Sequence, residues 1–172
     1  GDMFVAVASK SSWHAVGEQI GSMILFVNKT YSETGQVKLA SADWRQEPTV
    51  EFNLLSDHRD LERLKQGVRK LAVLYDHPAM RATTSHPFPA SWGDKVRQVG
   101  TVTARNKLLT GIMAKLLDGP DALRKLLLEK VIMDEFTMPQ VLTDEDALES
   151  FIKQTAVGVW HASCSCRMGA DD

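Results

Sequence analysis

The chain has 172 residues, of which 44% are hydrophobic and 24% charged, and this composition predicts one folded globular domain over residues 1–172. Lysine and arginine number 20 against 22 aspartates and glutamates, so the formal net charge is -2 and we expect no nucleic-acid partner. The longest apolar run, Met23–Val27, is far shorter than the ~20 residues that cross a bilayer. We therefore expect no membrane span. The compartment of the parent protein stays open, with a cytoplasmic location favoured.

Four apolar segments in the first third of the chain predict strands. Met3–Ala8 is a short apolar run that enters a polar loop. Ser22–Val27 and Gln36–Ala40 flank a polar stretch with a glycine near its end, which predicts a β-hairpin with a long loop. Thr49–Leu54 alternates in hydrophobicity and predicts a further strand after a turn. We expect these strands to pair in antiparallel fashion.

Helices are predicted over most of the remaining chain. The first begins at Asp57, a favourable N-cap, and ends at Pro78. Residues 79–100 show no clean period and are expected to be irregular, and helices follow within residues 103–117 and from residue 121 to about 136. We expect residues 79–143 as a whole to form a helical elaboration at the edge of a cavity.

A last helix is predicted to begin at Thr143, where Thr143 and Asp146 have the spacing of a capping box. It would bury Leu148, Phe151 and Ile152. With the strands, these helices indicate an α+β fold in which an antiparallel β-sheet is covered on one face by helices.

The segment Val157–Gly169 predicts a strand that stops at a glycine turn, and it carries the candidate chemistry. With a period of two, His161, Ser163, Ser165 and Arg167 share one face, while the apolar and thiol side chains share the other. One side of this strand is therefore expected to be polar and the other to face the core.

Residues 161–169, H-A-S-C-S-C-R-M-G, resemble the H-P-x-G-T-C-x-M-G signature of the glucose-methanol-choline (GMC) flavin oxidoreductases. Upstream, residues 35–43, G-Q-V-K-L-A-S-A-D, resemble the family's G-x-V-x-L-x-S-x-D hairpin. Residues 52–57, F-N-L-L-S-D, and residues 60–64, D-L-E-R-L, follow in the family's order. The chain departs from the signature at Ala162, Cys164 and Ser165, which leaves the substrate open.

The resemblance implies an FAD-dependent oxidoreductase that acts on the CH–OH group of a small alcohol, choline-like or a sugar. It implies His161 as the general base that takes the hydroxyl proton and assists hydride transfer to the flavin. None of the 11 glycines forms the G-x-G-x-x-G turn that binds FAD. We therefore expect a substrate-binding fragment of a larger flavoenzyme, partnered by the FAD-binding part of the parent chain and lacking the second catalytic residue. The isolated fragment should bind no FAD and be inactive.

Other interpretations stay open. A free-standing binding or interaction module would keep the sheet without flavin chemistry. His161, Cys164 and Cys166 offer three zinc-type ligands, but a fourth is not obvious and an extended strand would point the histidine away from both thiols, so we expect no metal. The thiols are expected to be small buried groups rather than a disulfide, and Arg167 to lie at the surface or in a salt bridge.

The remaining histidines offer weaker candidates. His58 and His77 lie at the two ends of the first long helix and are expected to cap it or to face solvent. His14 and His86 are predicted in loops. His14 with Trp13 is interpreted as a packed aromatic anchor, with a cavity-lining loop as the alternative.

Overall fold

The computed structural model describes residues 2–91, 93–133 and 135–158. Its strands form two antiparallel pairs. Strand β1 (Met3–Ala8) pairs with β2 (Ser22–Val27), with Met3 opposite Val27 and Ala8 opposite Ser22. Strand β3 (Gln36–Lys38) pairs with β4 (Thr49–Glu51). The predicted strand positions and the antiparallel pairing are confirmed, although β3 and β4 end earlier than predicted.

The predicted hairpin between Ser22–Val27 and Gln36–Ala40 is wrong, because each of these strands has a different partner. Strand β2 pairs with the equally long apolar strand β1, and the Phe4 and Phe26 rings stack across the two strands with centroids 4.7 Å apart. The loop after β2 is bound to a buried carboxylate, Asp60, and this contact leads the chain away from β2. The long polar loop predicted that the chain would fold back and pair Gln36–Ala40 with β2. The hydrogen bonds from this loop to Asp60, which is distant in the sequence, hold the loop elsewhere.

Eight α-helices lie in the described residues: α1 (Ala15–Gln19), α2 (His58–Asp76), α3 (Pro78–Arg81), α4 (Asp94–Gly100), α5 (Ala104–Leu117), α6 (Asp121–Leu127), α7 (Met138–Thr143) and α8 (Glu145–Thr155). Helix α6 continues into a π-helical turn, Leu128–Ile132. With two small antiparallel sheets, this helical content confirms the α+β class. None of the helices in the described part of the chain is long and apolar enough to cross a membrane.

The helix ends show which local signals are reliable. The predicted N-cap Asp57 accepts a hydrogen bond from the Arg59 N–H, and α2 ends before Pro78, as predicted. The expectation of an irregular segment at residues 79–100 is wrong in part, because α3 and α4 lie in or beside it. The N-cap of the last helix lies one residue later than predicted. Asp144, not Thr143, caps α8, and Thr143 is the last residue of α7.

Two hydrophobic clusters hold the helices together. One joins α1 to α5 and α6 through Val16, Ala114, Leu117 and Leu128. The other joins α2 to α7 and α8 through Leu61, Val141, Leu148 and Ile152. Helix α2 also packs on β2, where Gly67 leaves room for the Leu25 side chain. The predicted burial of Leu148 and Ile152 is confirmed, whereas Phe151 is only partly buried. Helix α8, the last element in the described residues, is fixed on the core.

Candidate functional site

His161, Cys164, Cys166 and Arg167 lie outside the described residues, so their predicted roles stay predictions. The structure does describe the chain that leads to them. Helix α8 ends with the Ala156 N–H bonded to the Ile152 carbonyl at 2.8 Å, and the chain then reaches Gly158. The described chain therefore ends three residues before the predicted base.

Two of the segments that carry the family resemblance, residues 35–43 and 52–57, meet at Phe52, and Gly158 lies beside the same residue. A Cβ at Gly158 would lie 3.7 Å from Phe52 Cδ2 and 3.9 Å from Leu54 Cδ1. A Cβ at Gly35 would lie 3.0 Å from the Phe52 carbonyl oxygen, which is closer than ordinary packing allows. Glycine at position 35 therefore permits the close approach of the hairpin strand, and the turn after β4 touches both the hairpin and the chain that leads to His161.

The turn after β4 has an unusual backbone. Asn53 and Leu55 have φ values of 45° and 64°, in the left-handed region that costs a non-glycine residue roughly 1–2 kcal/mol. Local contacts sustain this conformation: Asn53 Nδ2 donates to the Thr34 carbonyl at 3.1 Å, and the Ser56 and Thr34 hydroxyls are 3.4 Å apart. Leu55 packs on the cluster between α2 and α8. The turn is thus held from both sides in one conformation.

Asp60 fixes the loop between β2 and β3 on α2. Its buried carboxylate accepts hydrogen bonds from the Tyr31 N–H at 3.0 Å, from the Ser32 N–H at 3.0 Å and from the Ser32 hydroxyl at 2.8 Å. It also pairs with Arg63, and the Arg59 and Arg63 guanidinium carbons lie 4.0 Å and 4.6 Å from the Tyr31 ring centroid. Burial pushes the pKa of Asp60 upward, but the hydrogen bonds that it receives outweigh burial and hold the pKa below its ordinary value.

Lys65 ties α2 to α8. Its ammonium group is 3.1 Å from Glu62, 3.1 Å from Glu145 and 2.9 Å from Glu149, although the residue is only 4% exposed. The Glu149 carboxylate is the main reason why the pKa of Lys65 is raised, and the ammonium groups of Lys153 and Lys65 lower the pKa of Glu149 to about 2. Lys65 and Glu149 therefore both stay charged at neutral pH.

A cavity of about 430 Å³ opens at the C-terminal end of α8. Phe136 and Phe151 line it and meet edge to face, with centroids 5.8 Å apart. Gln154 and Thr155 of the last turn of α8 also contribute to its wall. The volume suits a small organic molecule. Within the predicted helical elaboration, Pro89, Ser91, residues 93–95 and residues 135–136 contribute to the lining.

His14 and Trp13 form a structural anchor. His14 Nδ1 accepts the Gly17 N–H at 3.0 Å and so caps α1, and burial lowers the pKa of His14, which favours the neutral ring that can accept. The Trp13 indole N–H donates to the Gly100 carbonyl at 2.7 Å. These contacts support the anchor, but Trp13 also lines a second cavity of about 520 Å³, so both interpretations hold for this loop.

The other histidines cap helices, face solvent or form a surface pair. His77 Nδ1 accepts the Ala79 N–H at 3.3 Å, and the His58 side chain is 86% exposed, as predicted. His86 Nε2 lies 2.7 Å from Asp121 Oδ1, and this hydrogen bond lowers the pKa of Asp121. Sequence reasoning missed that pair, because 35 residues separate its members.

The described residues hold no cluster that could bind a metal ion, and the N-terminus of α2 does not suit a phosphate. No three His, Cys, Asp or Glu side chains among residues 2–91, 93–133 and 135–158 are grouped as a metal would require. The N-terminus of α2, a long helix, is occupied by the Asp57 carboxylate, which would repel a phosphate. The sequence also has no G-x-G-x-x-G turn, so neither of these two features fits the phosphates of the dinucleotide.

Sequence comparison relates the chain to flavin-dependent oxidoreductases. A family profile described as GMC oxidoreductase matches residues 30–172. A 5-(hydroxymethyl)furfural oxidase of Methylovorus sp. is 33% identical over 154 residues, which cover 89% of this chain and 22% of that protein. Oxygen-dependent choline dehydrogenases of Pseudomonas fluorescens and Pseudomonas aeruginosa are each 25% identical, over 80% of this chain and 16% of those proteins. The chain thus spans at most about a fifth of the length of these curated relatives. No solved structure matches it.

Proposed function

The chain belongs to the GMC oxidoreductase family, and from this premise we propose that it forms the substrate-side part of an FAD-dependent enzyme that oxidises a small alcohol. The observation that carries the proposal is the family match, which runs from residue 30 to residue 172 and includes all three motifs. The contact between the two described motifs at Gly35 and Phe52 supports it, and Gly158, three residues before the third motif, lies beside Phe52 as well.

His161 is the proposed general base. Oxidation of an alcohol removes the hydroxyl proton and a hydride from the carbinol carbon, leaving a carbonyl group. An imidazole nitrogen can accept that proton near neutral pH, because the ordinary pKa of histidine is ~6.5. FAD supplies the hydride acceptor when it is bound. Since the sequence has no G-x-G-x-x-G turn, the proposal assigns the dinucleotide to a separate FAD-binding part of the parent protein.

The substrate is proposed only at the level of its reacting group. The relatives are named for 5-(hydroxymethyl)furfural and for choline, and each of these small molecules carries a primary alcohol. A small alcohol is also compatible with the cavity between Phe136 and the last turn of α8. We therefore propose only that the substrate of the parent enzyme carries an alcohol group of this kind.

The test is His161→Ala in the full-length, FAD-loaded protein. Turnover of an alcohol substrate should fall by ~10²–10⁴-fold, the range expected when a positioned base is lost. Flavin absorbance should stay at the parent level, since another part of the protein binds the dinucleotide, and added imidazole should restore part of the rate. His58→Ala, at an 86% exposed histidine, is the matched control and should leave turnover unchanged. Parental turnover by His161→Ala at full flavin occupancy would refute the assignment.

The isolated 172-residue chain should be colourless and inactive under the same assay. Flavin absorbance in equal molar amount with the purified chain would contradict the proposal that a separate part binds FAD.

A further inference from the structure

His14 caps the first turn of α1 with its side chain. The residue is 9% exposed, and its Nδ1 accepts the Gly17 N–H at 3.0 Å. The preferred N-caps are serine, threonine, aspartate and asparagine, whose acceptor atoms keep the same charge between about pH 5 and pH 8. Histidine is the side chain that gains a proton in that range. The α1 cap is therefore sensitive to acid in a way that an ordinary cap is not.

Protonation of His14 is incompatible with this hydrogen bond. An imidazole nitrogen that accepts a hydrogen bond carries no proton, so the neutral ring has its proton on Nε2. A second proton has only Nδ1 to occupy, where it would point at the Gly17 N–H and set one donor against another. The charged ring must then leave the cap, and the Gly17 N–H loses its acceptor.

Helix α1 connects the first two strands to the helices that follow α3. It lies between β1 and β2 in the chain, and Val16 belongs to a buried cluster with Ala114 and Leu117 of α5. Gln19 extends this contact, because its side-chain amide donates to Asp118 Oδ1 at 3.0 Å. Among the described helices and strands, α1 on α5 is the main contact between the two strands and α4, α5 and α6. The position of α1 therefore decides how firmly those helices are held.

The loop that carries His14 is also fixed to α4. Trp13 donates its indole N–H to the Gly100 carbonyl at 2.7 Å, and its ring meets the His14 ring edge to face, with centroids 5.7 Å apart. The Ser11 N–H donates to the Gly17 carbonyl at 2.8 Å, which ties the loop before His14 to the same turn of α1. A displaced His14 ring would therefore disturb the contacts of this loop with both α1 and α4.

Among the described residues, no charged neighbour holds His14 in its protonated form. The charged side chains on the surrounding elements include those of Lys10, Glu18, Arg97, Lys107 and Asp118. Lys10 and Glu18 pair with each other at 3.2 Å, and none of the described charged side chains contributes to the pKa of His14. Burial is the main influence on this pKa and lowers it. The folded chain thus favours the neutral ring, which is the form that caps α1.

We propose that His14 is a pH-sensitive latch, closed while its neutral ring caps α1 and opened when protonation releases the cap, so that α4, α5 and α6 loosen from β1 and β2. The closed state binds the proton less readily than the open state, in which the ring reaches water. The free energy that holds the latch closed is therefore fully present above about pH 6.5, and it is lost as the pH falls through the lower pKa of the closed state. The proposal does not depend on the reaction that the parent enzyme catalyses.

The experiment is hydrogen–deuterium exchange of the full-length, FAD-loaded protein at about pH 7.5 and about pH 5, with exchange rates corrected for their intrinsic dependence on pH. Peptides that cover residues 9–20 should lose ~5–10-fold in protection at the lower pH, the effect of losing one N-cap, and peptides from α5 should lose protection as well. Peptides from α2 and α8 should keep theirs, since the ion pairs of Asp60 and Lys65 stay charged at both pH values.

The variant His14→Asn separates the cap from its titration. Asparagine offers an acceptor oxygen to the Gly17 N–H but takes up no proton, so residues 9–20 of this variant should be equally protected at both pH values. His58→Asn is the matched control, because the His58 side chain is 86% exposed, and it should keep the pH dependence of the unmodified protein.

A loss of protection that is confined to residues 9–20 and α5, and that His14→Asn abolishes, supports the proposal. Equal protection of residues 9–20 at both pH values in the unmodified protein overturns it, whether or not the variant folds. An unchanged pH dependence in His14→Asn overturns it as well, because another group would then be titrating. A loss that extends equally over α2 and α8 also overturns it, since acid would then unfold the whole protein.

Discussion

The substitution Asp60→Asn should strongly destabilise the protein, although it barely changes the size of the side chain. Asp60 is 2% exposed, and its two carboxylate oxygens accept from Tyr31, Ser32 and Arg63. Asparagine keeps one acceptor oxygen and turns the other into an amino group, which donates. Either the contact with Arg63 or the contact with the Ser32 N–H must therefore be lost.

The expected loss follows from the number of charge-assisted contacts involved. Each hydrogen bond to a charged group contributes ~1.5–3 kcal/mol, and removing one member of a buried ion pair costs ~3–5 kcal/mol. Arg63 keeps Asp2 as a second partner at 2.6 Å. The expected loss is therefore near the lower end of the ~3–5 kcal/mol range for a broken buried ion pair. We therefore expect Asp60→Asn to lower the free energy of unfolding by about 3 kcal/mol, a large share of the ~5–15 kcal/mol of a typical domain.

The assay is urea unfolding at neutral pH followed by circular dichroism. Asp76→Asn is the matched control, because Asp76 ends the same helix, is 74% exposed and pairs with Arg81 at the surface. It should change the free energy of unfolding by less than ~0.5 kcal/mol. If Asp60→Asn and Asp76→Asn gave the same unfolding free energy, the anchoring role of Asp60 would be refuted.

The pH dependence gives an independent check on Asp60. Its folded-state pKa lies below the ordinary value of 3.8, so its contribution is fully present above that value and is lost as the pH falls through the lower folded-state pKa. The parent protein should therefore lose stability on acidification below about pH 4. Asp60→Asn should show a smaller loss over the same range.

Two further substitutions test packing and charge at other positions. Lys65→Met should destabilise the protein by ~1–3 kcal/mol in thermal unfolding, since it leaves three carboxylates without their shared cation, whereas Lys70→Met at an exposed position should have little effect. Gly17→Ala should destabilise the protein by ~1–3 kcal/mol, because the new Cβ would lie 2.4 Å from Ser12 Cβ. Gly111→Ala is the control: its Cβ would meet open space within helix α5, so it should stabilise the protein by ~0.5–1 kcal/mol. Equal effects of the two alanines would contradict the packing argument.

The elements that the sequence predicts well are those fixed by neighbouring residues. The apolar period of α2, its N-cap Asp57 and the proline after its end are all local signals, and the helix follows them. Strand pairing is different, because β2 had two possible neighbours of similar apolar character. The choice rests on contacts between Asp60 and the loop about 29 residues earlier, which no local pattern records.

The same distinction applies to the candidate site. His161 is recognisable because a short motif surrounds it. Asp60 and Lys65 are not, since an acid in the first turn of a helix and a lysine on a helix are ordinary features. One signal was available for Lys65: it lies between Leu61 and Val68 at helical spacing, on the apolar face of α2, where a charged residue needs a partner.

The described contacts hold the chain that leads toward the proposed base. Gly158 lies beside Phe52 in the turn after β4. Leu55 of this turn packs on the cluster between α2 and α8, and Asp60 and Lys65 hold those helices in place. Substitutions at Asp60 or Lys65 should accordingly lower turnover only by reducing the fraction of protein that is folded. Well below the melting temperature, where nearly all of the protein is folded, their effect on turnover should disappear. The loss caused by His161→Ala should persist there, because it concerns proton transfer in protein that is already folded.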